Sequence, residues 1–404
     1  MSSIIPDTGQ ASPPAPPPPP SIPPPPPSYP RRAIQYDGGI WRIYKIVSIN
    51  LVLTLLTLGL YRFWAKTRLR RFLWGHATVN EDRLEYAGTG NELLLGFLIV
   101  LFPILIPLFL VLGTSSLVLE GFAPSWTWVI DTTQPLLILF LIGVALYRAR
   151  YYRLTRTRWR GIRAGQTGSA MKYGVMVVAS YLAAIFSVGL AWPWSQAWLF
   201  RYKMSNTWLG NRRFVFDGSS AGLYPSYLAA WAATLVLPFV IMMAVGLVIA
   251  LTVGFESIKG LEGIDLDALL APGASESEAF ALSGWAAFAS AIPLVLVVFA
   301  IIAAWQWFNA AKYRLFARHS RLDSLGFTLQ LTGWSLAKFT LANLTLMLVT
   351  LGLALPWVLH RRAKFFAKRL MAHGAIDYSG VGQSPLRAPE TGEGLADAFD
   401  IGGI

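Results

Sequence analysis

The chain has no cysteine and only four histidines in 404 residues, and these scarcities remove whole classes of chemistry. Without thiols there are no disulfides, thiolate nucleophiles or cysteine-ligated metal centres. His76, His319, His360 and His373 fall in no metal-ligand spacing such as H-E-x-x-H, so no catalytic, cofactor-binding or metal-binding residue is assigned and no enzymatic activity is expected. Charge is scarce too, with 14% Asp, Glu, Lys and Arg against 54% hydrophobic residues. A soluble domain carries about 25% charged residues, so the solvent expected for this chain is lipid.

Apolar runs at 93–119, 228–255 and 285–302 approach or exceed the roughly 20 residues of a bilayer-spanning helix, and the shorter run at 136–146 is read as a span with them. The net charge is +13, but the Lys and Arg flank these runs, the pattern of loops held on the cytoplasmic side. Both termini are then expected in the cytoplasm. Residues 1–32 read as a disordered polyproline tail ending at Arg31-Arg32, not as a signal peptide. Its sharper reading is a docking strand for a proline-recognising partner. The membrane domain is expected over 33–382 and a flexible tail over 383–404.

One pattern occurs three times: TLGLYRFW at 57–64, SVGLAWPW at 187–194 and TLGLALPW at 350–357. It places Gly59, Leu60 and Trp64 in register with Gly189, Leu190 and Trp194 and with Gly352, Leu353 and Trp357. Seven residues after each Trp stands a base: Arg71, Arg201 and Lys364. Between copies lie two hairpins of long apolar spans. Each closes on a basic aromatic stretch, in which Thr157-Arg158 and Ser320-Arg321 take equivalent places.

If every apolar segment crossed the bilayer, basic loops would fall on both sides. With only the two long hairpins crossing, Lys259 is the sole outer base among 34 Lys and Arg, which is the arrangement the charge rule favours. The three Gly-Leu/Trp units then dip in and return, reversing near their glycines and packing at the centre of the bundle; seven spans are the alternative. The strings RLEYAG, RGIRAG, RFVFDG, GFTLQLTG and AIDYSG are expected to pair as a small cytoplasmic sheet. The fold class is thus an all-α polytopic membrane protein with internal repeats and short cytoplasmic strands.

The G-L-x-x-x-W motif and the basic aromatic helix after it, most specific in LGLYRFWAKTRLRRFLWGHA, resemble the YjgN-like family of bacterial inner-membrane proteins. The resemblance covers 34–382. It implies the inner membrane and this fold, and it supplies no catalytic residue, because the family has no established activity.

Other motifs dissolve on inspection. Gly218-Ser-Ser-Ala-Gly222 fits G-x-S-x-G, but the sibling strings lack the serine, so a glycine-rich turn into a helix explains all three. The arginine run from Arg148 to Arg163 is expected to meet anionic lipid head groups and not nucleic acid. Asn50, Thr54, Asn343 and Thr345 either line a small polar path or make helix contacts. The function expected is membrane organisation through anionic lipid, with a transporter or channel for a small solute as the alternative.

Overall fold

The structure, a computed structural model, describes residues 31–253, 276–374 and 381–383. Residues 1–30, the loop holding Lys259 and the AIDYSG string lie outside the described residues.

Among the described residues, four helical stretches are long and apolar enough to cross a membrane: Gly90–Phe122, Thr127–Thr155, Ala221–Leu247 and Pro293–Arg318. They fall on the four apolar runs. The first joins α3 (Gly90–Val100), a π-helical segment at Leu101–Leu105 and α4 (Ile106–Phe122). Pro103 inside that segment has no N–H to donate, so the helical ladder loosens there. The others belong to α5 (Thr127–Thr155), α8 (Tyr224–Val253) and α9 (Glu276–Arg318). At 1.5 Å per residue α5 runs about 44 Å, longer than a hydrocarbon core of about 30 Å, so its arginine-rich end projects beyond lipid.

Three shorter hairpins stand among these spans. Helices α1 (Ile40–Leu56), α6 (Ala170–Phe186) and α10 (Gly333–Val349) are 17 residues each. They turn back into α2 (Arg62–Gly75), α7 (Trp192–Ser205) and α11 (Leu355–Ala367).

Four of the helical pairs lead into β-hairpins of one build, a three-residue strand followed by a five-residue strand. These are β3 (Ala77–Val79) with β4 (Asp82–Tyr86), β5 (Thr157–Trp159) with β6 (Ile162–Gln166), β7 (Thr207–Leu209) with β8 (Arg212–Phe216) and β9 (Ser320–Leu322) with β10 (Leu325–Leu329). β11 (Leu370–His373) follows α11. Asn80, Glu81, Arg160 and Gly161 have positive φ, the backbone that two-residue hairpin turns require.

The β component is larger than the short strands anticipated, which makes the chain mostly helical and not all-α. Among the described residues eleven strands form one antiparallel sheet, ordered β1-β11-β10-β9-β8-β7-β6-β5-β4-β3-β2. Its two ends are β1 (Arg31–Arg32) and β2 (Gln35–Tyr36). Only Ala33 and Ile34 separate them, so the sheet returns on itself as a ring. Strand alternation sorts the ring's faces. Leu84 opposite Trp159, Ala164 opposite Leu209 and Phe214 opposite Leu322 turn inward around an apolar chamber of about 200 Å³. Arg158 pairs in register with both Glu85 and Arg163, Trp208 with Arg213 and Val215 with Arg321, on the other face.

Aromatic cores fill the level where helices meet the ring, such as Phe63, Tyr86, Leu93 and Tyr152. α5 crosses α6 where a Cβ on Gly143 would lie 2.9 Å from the Gly174 Cα; small residues permit this approach, as in membrane helix pairs. The last helix α11 packs on the first, α1.

Candidate functional site

The Gly-Leu reversals share one geometry. Each begins with a hydroxyl: Thr57, Ser187 and Thr350 donate to the carbonyls of Leu53, Ala183 and Leu346 at 2.7, 2.6 and 2.7 Å. The same oxygens accept from the backbone N–H of Tyr61, Ala191 and Ala354 at 2.9, 2.8 and 3.1 Å. Two residues on, Gly59, Gly189 and Gly352 adopt φ of 91°, 89° and 88° and donate to Thr54, Ala184 and Met347 at 2.7, 2.6 and 2.8 Å. Several orphan backbone groups at the helix end thus find partners inside the turn.

This local closure changes where the turns sit. They were expected at the centre of the bundle, sheltered by protein. Instead Leu58 is 95% exposed and Leu351 93%, with Leu60, Val188, Leu190 and Leu353 exposed as well. A turn that satisfies its own backbone groups needs no protein around it, and its apolar tip suits hydrocarbon.

The bases after the Trp reach the sheet side of their own unit. Arg71 donates to the Gly88 carbonyl at 2.8 Å and Arg201 to the Gly218 carbonyl at 2.8 Å. Arg314 makes the same 17-residue reach to the Leu331 carbonyl at 2.6 Å, although it lies in a long hairpin and was not singled out from sequence. Lys364 instead lines a groove of about 430 Å³ with Tyr36, Asp37 and Lys368. Burial and nearby Asp37 push the Tyr36 hydroxyl up to about 12. His360, 5.6 Å from the Tyr36 ring, is lowered by burial and by Lys364.

The tryptophans divide. Trp64 donates to Asn91 Oδ1 at 3.1 Å and lies so close to Gly90 that a Cβ there would meet its ring at 2.6 Å. Trp307 stands in the same relation to Gly333, again at 2.6 Å. Trp194 and Trp357 are each 45% exposed, as interfacial anchors are.

Of the four polar-path candidates, Asn50 and Asn343 are buried and Thr345 is exposed. Asn50 donates to the Ala65 carbonyl at 3.3 Å and accepts from Arg68 at 3.4 Å, tying α1 to α2. Thr54 donates to the carbonyl of Asn50 at 2.6 Å. Each of these bonds stays within the first hairpin.

Two clusters had no clear sequence signal. Glu92, in the first turn of α3, accepts from the Tyr152 hydroxyl at 2.6 Å and pairs with Arg156 at 3.1 Å, tying α3 to α5. Lys203 on α7 is held down to about 8 by burial and by the charges of Arg150 and Lys312.

Together these features define a helical membrane protein whose four long helices and three re-turning hairpins stand on a closed ring of short strands. The chain belongs to the DUF898 family, described as bacterial protein of unknown function, whose model matches residues 31–398. It is similar to the Inner membrane protein YjgN of Escherichia coli O157:H7, 27% identical over 161 residues, which is 40% of this chain and 37% of the relative. The namesake in Escherichia coli K12 is 32% identical over 73 residues, 18% of each chain. The matched stretches therefore span well under two thirds of these relatives. No solved structure matches.

Proposed function

We propose that the chain is an inner-membrane protein that organises anionic lipid on the cytoplasmic leaflet. The names of its relatives support the inner membrane, and the concentration of Lys and Arg at the ring end supports a cytoplasmic ring. On this reading both ends of the membrane domain lie in the cytoplasm. The Gly-Leu/Trp hairpins enter the bilayer from that side and return, and the chain is built from five related units of one helical pair and strands.

The observation that carries the lipid reading is the outward face of the ring, where Arg158, Arg213 and Arg321 are exposed. Arg158 lies in register between Glu85 on one neighbouring strand and Arg163 on the other, and the like charges directly opposite repel. Anionic head groups at the interface relieve that repulsion, each base contributing about 1 kcal/mol. Arg71 and Arg201 are engaged by backbone carbonyls, Arg213 donates through Nε to the Ser205 carbonyl, and Arg321 pairs with Asp217 at 3.6 Å on the ring surface. The test is flotation of purified protein with vesicles of phosphatidylcholine alone or with phosphatidylglycerol. Replacing Arg158, Arg213 and Arg321 together with Gln should abolish the preference for phosphatidylglycerol. An unchanged preference would contradict the reading.

A further inference from the structure

Three helices bring cations together at the ring end of the bundle. Arg150 on α5 donates through one terminal nitrogen to Gln166 Oε1 at 2.9 Å and to Thr207 Oγ1 at 2.8 Å, while its other terminal nitrogen lies 3.8 Å from the Met204 sulfur. It is therefore fixed beside the residue that follows Lys203. The Lys203 ammonium sits 5.8 Å from the centre of the Tyr173 ring. Helix α9 meets α7 through Phe200 stacked on Phe316 at 4.0 Å, each about one turn from Lys203 and Lys312 respectively. The Lys312 ammonium lies 5.4 Å from the Phe308 ring.

Arg150 and Lys312 both stand near enough to repel charge on Lys203. Among the described residues no carboxylate answers them: neither lysine makes a hydrogen bond or an ion pair. Lys203 and Lys312 are each half-buried. Gathering unpaired like charges is costly. A guanidinium locked in place by two neutral acceptors, with two mobile ammonium groups beside it, is the donor set that phosphate oxygens take.

We propose that Arg150, Lys203 and Lys312 form a binding site for a phosphate-type oxyanion, supplied either as inorganic phosphate or as the head group of an anionic phospholipid. The site shares no residue with the outward arginines of the ring.

The test uses the full chain in detergent, titrated with inorganic phosphate against sodium chloride of matched ionic strength, and the same chain in nanodiscs of phosphatidylcholine or phosphatidylglycerol. Unfolding temperature and titration calorimetry are read in each case. Phosphate or phosphatidylglycerol should raise the unfolding temperature of the wild-type protein. Lys203→Gln and Lys312→Gln should each weaken anion binding at least tenfold while melting no lower than wild type without anion, and Lys172→Gln, at an exposed lysine, should bind as wild type. Stabilisation by phosphate in detergent identifies the free ion as sufficient, and stabilisation by phosphatidylglycerol alone identifies the head group. If neither stabilises the wild type, or if both lysine variants keep the full effect, the proposal is overturned. Failure of the outward-arginine variant to alter vesicle flotation would leave this result untouched.

Discussion

Arg201 reaches 17 residues forward to donate a 2.8 Å hydrogen bond to the carbonyl of Gly218, closing the path from helix through hairpin to the start of the next helix. Arg71 does the same to Gly88. The bond fastens a helical pair to its own strands, so the base is structural before it is anything else. Replacing Arg201 with Met should leave that carbonyl without its charged donor and cost about 1 kcal/mol, given the exposure of the side chain. Thermal unfolding in detergent measures it.

The hydroxyl at each reversal both donates and accepts. Thr350→Val keeps the shape and removes both bonds, leaving the N–H of the buried Ala354 unpartnered. The expected cost is about 1–3 kcal/mol, and Thr350→Ser should restore most of it. Equal melting of the Val and Ser variants would show that the oxygen contributes nothing.

Gly90 and Gly333 serve as seats for indoles. An alanine at either position would place its Cβ about 2.6 Å from the ring of Trp64 or Trp307, forcing helix or indole to shift at a cost of about 1–3 kcal/mol. Gly90→Ala combined with Trp64→Leu should recover part of that loss in a double-mutant cycle.

Lys203 gives a pH signature. Its value falls from 10.5 to about 8 in the fold because of burial and the charges of Arg150 and Lys312. The unfolded chain therefore holds more protons between about pH 8 and 10.5, and stability should rise with pH across that window. Below about pH 8 the penalty is fully present and constant. Denaturation midpoints should climb from pH 8 to 10 in the wild type and less in Lys203→Met, whose midpoint should be higher at pH 7.

Much of this was legible in the sequence. Four apolar runs marked the long helices, and the spacing of Gly59, Gly189 and Gly352 marked three reversals. The strings containing Leu84, Ile162, Phe214 and Phe327 marked β4, β6, β8 and β10. Their partner strands were not legible, because three residues such as Thr157–Trp159 show no alternation. Ring closure was hidden as well, since it depends on Arg31-Arg32 and Gln35-Tyr36 pairing with strands at opposite ends of the chain. The left-handed backbone of Leu58, Val188 and Leu351 goes against residue preference, and only the fixed turn around it makes it intelligible. Arg314 and Trp307 escaped notice because the long hairpin around them has no Gly-Leu reversal to set the register.

The central claim is that each Gly-Leu/Trp hairpin returns to the side it left. The absence of cysteine makes the measurement direct: single cysteines at Ala123, between α4 and α5, and at Asn211, in the β7–β8 turn, labelled in intact cells with an impermeant thiol reagent. The account predicts that Ala123→Cys labels from outside and that Asn211→Cys labels only after the membrane is opened. Labelling of Asn211→Cys in sealed cells would mean that the hairpins cross, and would contradict it.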